Sequence, residues 1–268
     1  MSVRLVCLGD SFTEGMCDDS RADGQYTGWA DRVAVALAER QAPTGDTVEY
    51  ANLGVRGKLL DQVIAEQIPA AVSLSPTLLT FHAGPNDVLR RGTDFADLAG
   101  RYEGAVRSLA PVDAELVLFT AIGRAGGTGR VAAALADRFQ RFNDVVRKTA
   151  ADHGAVVVDL EAVPALTDRR LWHEDRLHLN PDGHRRVAAA VLEAIGATDP
   201  MLTGGSEGWW REPLPAASVQ GRGADLAADL RWIRRHLVPW VGRRLRGVSS
   251  GDGRRPKDPL LRVVRPRS

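Results

Sequence analysis

Five short apolar runs recur along the first 160 residues, each closed by a turn signal and each followed by polar or helix-periodic sequence. The runs at 3–8, 47–53, 77–82, 115–120 and 155–159 are bounded, β-branched and too short for helices, and they predict buried strands. Between and after them, apolar positions spaced by three and four predict helices over 29–40, 59–72, 95–109, 131–153 and 181–195. In the first of these, Trp29, Val33, Ala36 and Leu37 share a face. In the second, Pro69 is expected to shorten or kink the helix, because it removes a hydrogen bond from the interior. Pro181 opens the last one, where a missing N–H costs little. Strands alternating with helices imply a parallel sheet covered on both faces. The expected fold is a three-layer α/β/α sandwich around a mostly parallel five-stranded sheet.

In such sheets the reactive groups collect beyond the carboxyl ends of the strands. Three such ends carry distinct chemistry. Ser11 follows the first strand in Gly9-Asp10-Ser11, and reads either as a helix cap or as a nucleophile. Gly54 follows the second strand and offers a backbone N–H with no side chain in the way. Asn86, in Gly84-Pro85-Asn86-Asp87, offers a carboxamide, although Gly54, Gly84 and Asn86 are also ordinary turn residues. A hydroxyl beside hydrogen-bond donors suits acyl transfer, provided a base is supplied. Of six histidines, His178 alone has an acid at orienting distance, Asp175, three residues earlier. His82 can line the site but lacks such a partner, while His153 and His184 read as solvent-facing.

These blocks resemble those of the SGNH/GDSL hydrolase family: Gly9-Asp10-Ser11, Asn52-Leu53-Gly54, Gly84-Pro85-Asn86-Asp87 and Asp175-Arg176-Leu177-His178, in the family's order over residues 3–195. Phe12 stands where many members have Leu. The resemblance implies a GDSL-type esterase or lipase that cleaves a carboxylic ester through an acyl-enzyme intermediate. It implies Ser11 as nucleophile, His178 as base and Asp175 as orienting acid. The oxyanion hole would be the N–H groups of Ser11 and Gly54 with the Asn86 amide. Asp10 and Asp87 would brace their loops. Arg56, His82 and Arg90 would line the substrate pocket with the glycine-rich stretch 123–129, Arg56 being read as solvated rather than engaged. A small acyl ester, an O-acetyl carbohydrate and a lysolipid all fit. An acyltransferase using the same residues and a silent binding module are the competing classes. No metal or other cofactor is implied.

Charge divides the chain. Residues 1–204 carry 21 Lys and Arg against 28 Asp and Glu, whereas residues 205–268 carry 14 against 6. The expected organisation is a hydrolase domain at 1–200, a Trp-containing strap with a basic amphipathic helix within 201–248, and a disordered tail at 249–268. The helix, at 225–246, fits docking on the acidic body, a protein contact or a peripheral membrane contact. Nucleic acid is not an expected partner. Cys7 and Cys17 form no disulfide or metal-ligand pattern, and no leader or membrane span is evident, so a cytoplasmic protein is expected.

Overall fold

A computed structural model describes residues 2–90, 92–122, 129–198, 208–216 and 249–267, together with Trp232, Arg234, Arg235, Val238, Pro239 and Gly242. Strands β1 (Val3–Gly9), β2 (Val48–Asn52), β3 (Leu78–His82), β4 (Glu115–Phe119) and β5 (Val156–Val158) pair in parallel. Helices α1 (Ser11–Glu14), α2 (Gly28–Gln41), α3 (Leu60–Ser73), α4 (Pro85–Val88), α5 (Phe95–Leu109), α6 (Arg130–His153) and α7 (Pro181–Ala194) lie between and after the strands. Alternation along β1 sends Leu5 and Cys7 into a core under α2 and α7, and Val6 and Leu8 into a second core under α3, α5 and α6. α3 runs on through Pro69 to Ser73, so the expected shortening does not occur.

The sheet has six strands, not five, in the order β5-β4-β3-β1-β2-β6. β6 (Asp258–Val264) pairs antiparallel with the β2 edge, within the tail expected to be disordered. Ionic anchoring explains the order. Lys257 Nζ, with its side chain 1% exposed, lies 2.6 Å from Asp31 Oδ2 and donates to the carbonyls of Tyr26 and Thr27. Arg21 meets Asp258 at 2.8 Å, and Arg262 meets both Asp31 and Asp258. In the strap, Trp210 is buried and donates its indole N–H to Glu193. Most of the basic stretch 225–246, and the glycine-rich 123–128, lie outside the described residues.

His184 is the reverse of its sequence reading. It is buried on α7, donating from Nε2 to the Met16 carbonyl at 3.1 Å, while its Nδ1 meets no partner among the described residues. Burial drives its pKa down to about 4, against the partial support of Asp18 and Met16. An unfolded chain takes up this proton near its ordinary value of about 6.5 and the folded chain does not, so stability falls as pH drops from that value towards 4. Between pH 7 and 5 the expected loss is about 2 kcal/mol from this group. Thermal melts of His184→Gln, which keeps a donor for Met16, should show a correspondingly flatter slope over that interval; an unchanged slope would place the proton uptake elsewhere.

Candidate active site

The site is assembled at the carboxyl edge of β1, β2 and β3. After Gly9 the chain turns into α1, with the Asp10 carboxylate accepting from the Phe12 N–H at 3.0 Å. Ser11 therefore stands at the first helical position, where its own N–H has no intrahelical acceptor. Across the edge, 3-10 turns at Pro164–Thr167 and Arg169–Leu171 lead to an antiparallel bridge between Trp172 and Leu179. That bridge pinches off a loop whose turn is made by Arg176 in the left-handed region, φ +59°.

On this loop Asp175 and His178 meet. Asp175 Oδ1 accepts the N–H groups of Leu177 at 2.9 Å and His178 at 3.1 Å, and Oδ2 lies 2.7 Å from His178 Nδ1. His178 Nε2 lies 3.1 Å from Ser11 Oγ. Because an ionised carboxylate can only accept, Nδ1 carries the imidazole proton and Nε2 turns a lone pair to the serine hydroxyl. Burial alone would raise the Asp175 pKa; the hydrogen bond and charge of His178 and the two N–H groups outweigh it and hold the carboxyl well below the usual range. The structure thus brings Ser11, His178 and Asp175 into one relay.

A cavity of about 430 Å³ opens on that relay, lined by Ser11, Asn86, His82, Arg56 and Arg90, with Leu59, Leu89, Ile122 and Trp172 as apolar wall. His82 is buried and stacked on Phe12 at 4.3 Å, and its Nδ1 lies 3.6 Å from Asp10, beyond hydrogen-bond reach. Arg56 is not solvated: its guanidinium and its N–H both engage the Glu14 carboxylate. Arg90 lines the cavity from an exposed position.

Gly54 does not reach the position expected of it. Its N–H donates to Asn52 Oδ1 at 2.9 Å, it does not line the cavity, and a Cβ there would lie 2.7 Å from the Glu14 nitrogen. The glycine serves close packing of β2 against α1. Gly57, three residues on, lines the cavity with φ +75°, and its N–H has no acceptor among the described residues. Residue type alone did not separate the two; the direction of a backbone N–H is set by the turn. The Asn86 amide donates to Asp10 Oδ2 and the Lys58 carbonyl, each at 3.0 Å, which fixes its orientation. Asp87 accepts from the Leu60 N–H at 2.9 Å and so ties the α4 turn to the start of α3.

Some site contacts have no signal in the sequence. Residues of the C-terminal extension complete the cavity wall: Arg235, Pro239, Ser249 and Ser250 line it, and Ser249 Oγ donates to the Gly57 carbonyl at 3.3 Å. Trp232 donates its indole N–H to the Asp175 carbonyl at 2.9 Å, under the Arg176 guanidinium. Cys17 and His173 both approach Asp175 Oδ2, and with it form the one group of metal-capable donors among the described residues. Burial and the neighbouring Asp175 push the Cys17 thiol up to about 12, so it stands as a thiol.

A parallel α/β sheet with a serine, a histidine and an acid converging at its carboxyl edge is the arrangement of α/β folds that hydrolyse acyl compounds. Residues 7–186 match the model of the GDSL-like lipase/acylhydrolase family, and the chain belongs to that family. It is a GDSL-type carboxylic ester hydrolase. Among solved structures it is similar to LAE5, an alpha/beta hydrolase enzyme from the metagenome of Lake Arreo, Spain, with 23% identity and a TM-score of 0.60 over 74% of this chain and 96% of that one. It is also similar to Axe2, an acetylxylan esterase from Geobacillus stearothermophilus, with 21% identity and a TM-score of 0.58 over 72% of this chain and 94% of that one. No curated protein matches the chain.

Proposed function

We propose that Ser11, His178 and Asp175 act as nucleophile, general base and orienting acid in the hydrolysis of a small acyl ester. The observation that carries this reading is the unbroken series of contacts, 3.1 Å from Ser11 Oγ to His178 Nε2 and 2.7 Å from His178 Nδ1 to Asp175 Oδ2. Ser11 Oγ attacks the ester carbonyl as its proton passes to Nε2, and Asp175 stabilises the imidazolium that results. The tetrahedral intermediate collapses as the imidazolium protonates the departing alkoxide, leaving an acyl-serine. Water, deprotonated by the same nitrogen, attacks the acyl carbonyl, and the released Ser11 regains its proton.

The developing oxyanion is met by the N–H groups of Ser11 and Gly57, which carry no internal hydrogen bond among the described residues. Asn86 adds its side-chain amide by sharing one of the N–H bonds now made to Asp10 and Lys58. Asn86→Ala is expected to lower kcat about 10²-fold with little change in KM, the loss typical of one oxyanion donor, in steady-state assays on a chromogenic acetate. A loss confined to KM would remove Asn86 from the transition state.

Part of the cavity wall is polar, with Arg90, Arg235, Ser249 and Ser250, which favours a short acyl group on a polar alcohol. The similarity in fold to an acetylxylan esterase supports acetylated carbohydrate among the candidates. The test is twofold. A fluorophosphonate should label one residue per chain, and peptide mass spectrometry should find it on Ser11. Turnover of acyl esters from two to twelve carbons, acetylated xylooligosaccharides and lysophospholipid should be greatest for acetyl and fall with chain length. Labelling elsewhere would sink the nucleophile assignment, and preference for long chains the substrate assignment.

A further inference from the structure

Beside the relay, three donors of the kind that hold soft divalent cations face one another. Cys17 Sγ lies 3.7 Å from Asp175 Oδ2, His173 Nδ1 lies 3.5 Å from the same oxygen, and all three atoms lie within 4.8 Å of one another. A tetrahedral Zn²⁺ with a sulfur at about 2.3 Å, a nitrogen at about 2.0 Å and an oxygen at about 2.1 Å separates sulfur from oxygen by about 3.6 Å and nitrogen from oxygen by about 3.4 Å. Two of the three ligand separations therefore already match a zinc site to about a tenth of an ångström.

His173 Nδ1 accepts the Asp175 N–H at 3.3 Å, so this nitrogen carries no proton, and a cation that takes its lone pair displaces that hydrogen bond. Cys17 is held with φ +71° in the turn that follows α1, which fixes the direction of its side chain from the backbone. Cys17 and Asp175 are buried while the His173 side chain is 37% exposed, so the group opens to solvent on one side, where water can supply a fourth ligand. Neither Cys17 nor His173 touches Ser11 or lines the substrate cavity.

We propose that Cys17, His173 and Asp175 form a binding site for Zn²⁺ or a similar thiophilic divalent cation, and that its occupancy switches the hydrolase off. Binding converts the Cys17 thiol to a thiolate, its proton leaving to solvent, and no group changes oxidation state. The switching half rests on the triad reading above. Asp175 Oδ2 is the atom that holds His178 Nδ1, and a cation sharing that oxygen both weakens the hydrogen bond and opposes the imidazolium that must form during acyl transfer.

The 268-residue chain, stripped with chelator, would be titrated with Cd²⁺ while ultraviolet thiolate-to-metal charge transfer is followed. Zn²⁺ competition and ester turnover would be measured in parallel. The expected result is one equivalent bound per chain, at least a tenfold fall in kcat at saturation, and recovery on adding EDTA. Cys17→Ser and His173→Gln, each measured against its own metal-free turnover, should bind at least tenfold more weakly and resist inhibition to the same extent. Absence of the absorption band, or equal inhibition in both variants, would overturn the site. A band with undiminished turnover would overturn the switch. Ser11→Ala should bind Cd²⁺ as the parent does, so the site stands or falls by absorption even if Ser11 proves not to be the nucleophile.

Discussion

Replacing Ser11 by alanine should cut kcat on any accepted ester by at least about 10⁴-fold while KM changes little. The hydroxyl is at the head of the relay and its side-chain contact is with His178, 3.1 Å away. Removing it takes away the covalent route but leaves the cavity wall and the backbone donors in place. His178→Ala should cost a similar factor, and the double variant should be little worse than either single one, because the two groups act as a unit in one proton transfer. The measurement is burst and steady-state kinetics with a chromogenic acetate, accompanied by thermal melts to establish that both variants are folded. A Ser11→Ala enzyme within tenfold of the parent would mean that water, not serine, attacks the ester. A double variant far below the singles would mean that serine and histidine contribute through separate routes.

The parts of this site that could be read beforehand are those in which side-chain chemistry and chain order suffice. A serine after the first strand, an asparagine after the third and an Asp-x-x-His before the last helix lie at the edge where a parallel sheet gathers its loops. The fold was legible for the same reason: α5 starts at Phe95 behind the Asp94 cap and ends at Leu109, as its periodicity dictates. What escaped was set by direction and by distant partners. Gly54 and Gly57 differ in which way an N–H points, and that depends on Asn52 accepting the one and the turn at φ +75° freeing the other. His184 sits among Asp182, Arg185 and Arg186, a polar stretch whose composition hides the fact that α7 turns this one ring inward. Cys17 meets Asp175 across 158 residues, a contact that no local pattern encodes.

β6 was hidden in a similar way, and the ion pair that anchors it carries the second large expected effect. Lys257→Met should destabilise the protein by about 3–5 kcal/mol, the loss typical of removing one partner from a buried pair. Lys257 is almost wholly enclosed, and its three donors are met by the carbonyls of Tyr26 and Thr27 and by Asp31. Asp31 is itself buried, and burial pushes its carboxyl upward despite Lys257 and Arg21. Without Lys257 the carboxylate keeps only longer contacts, 3.4 Å to Arg21 and 3.3 Å to Arg262, with the Tyr50 hydroxyl at 3.1 Å. Its desolvation cost is then only partly offset. Adding Asp31→Asn removes the charge left behind, so the double variant should recover part of the loss, which distinguishes an electrostatic anchor from simple loss of packing. Denaturant melts of the two single variants, the double variant and the parent give all four corners of the cycle. If β6 were only loosely laid on the β2 edge, Lys257→Met would cost less than about 1 kcal/mol, as exposed ion pairs do, and the cycle would show no coupling. The anchor also bears on activity, because Ser249 and Ser250, which wall the cavity beside Gly57, reach that position on the segment that β6 ties down.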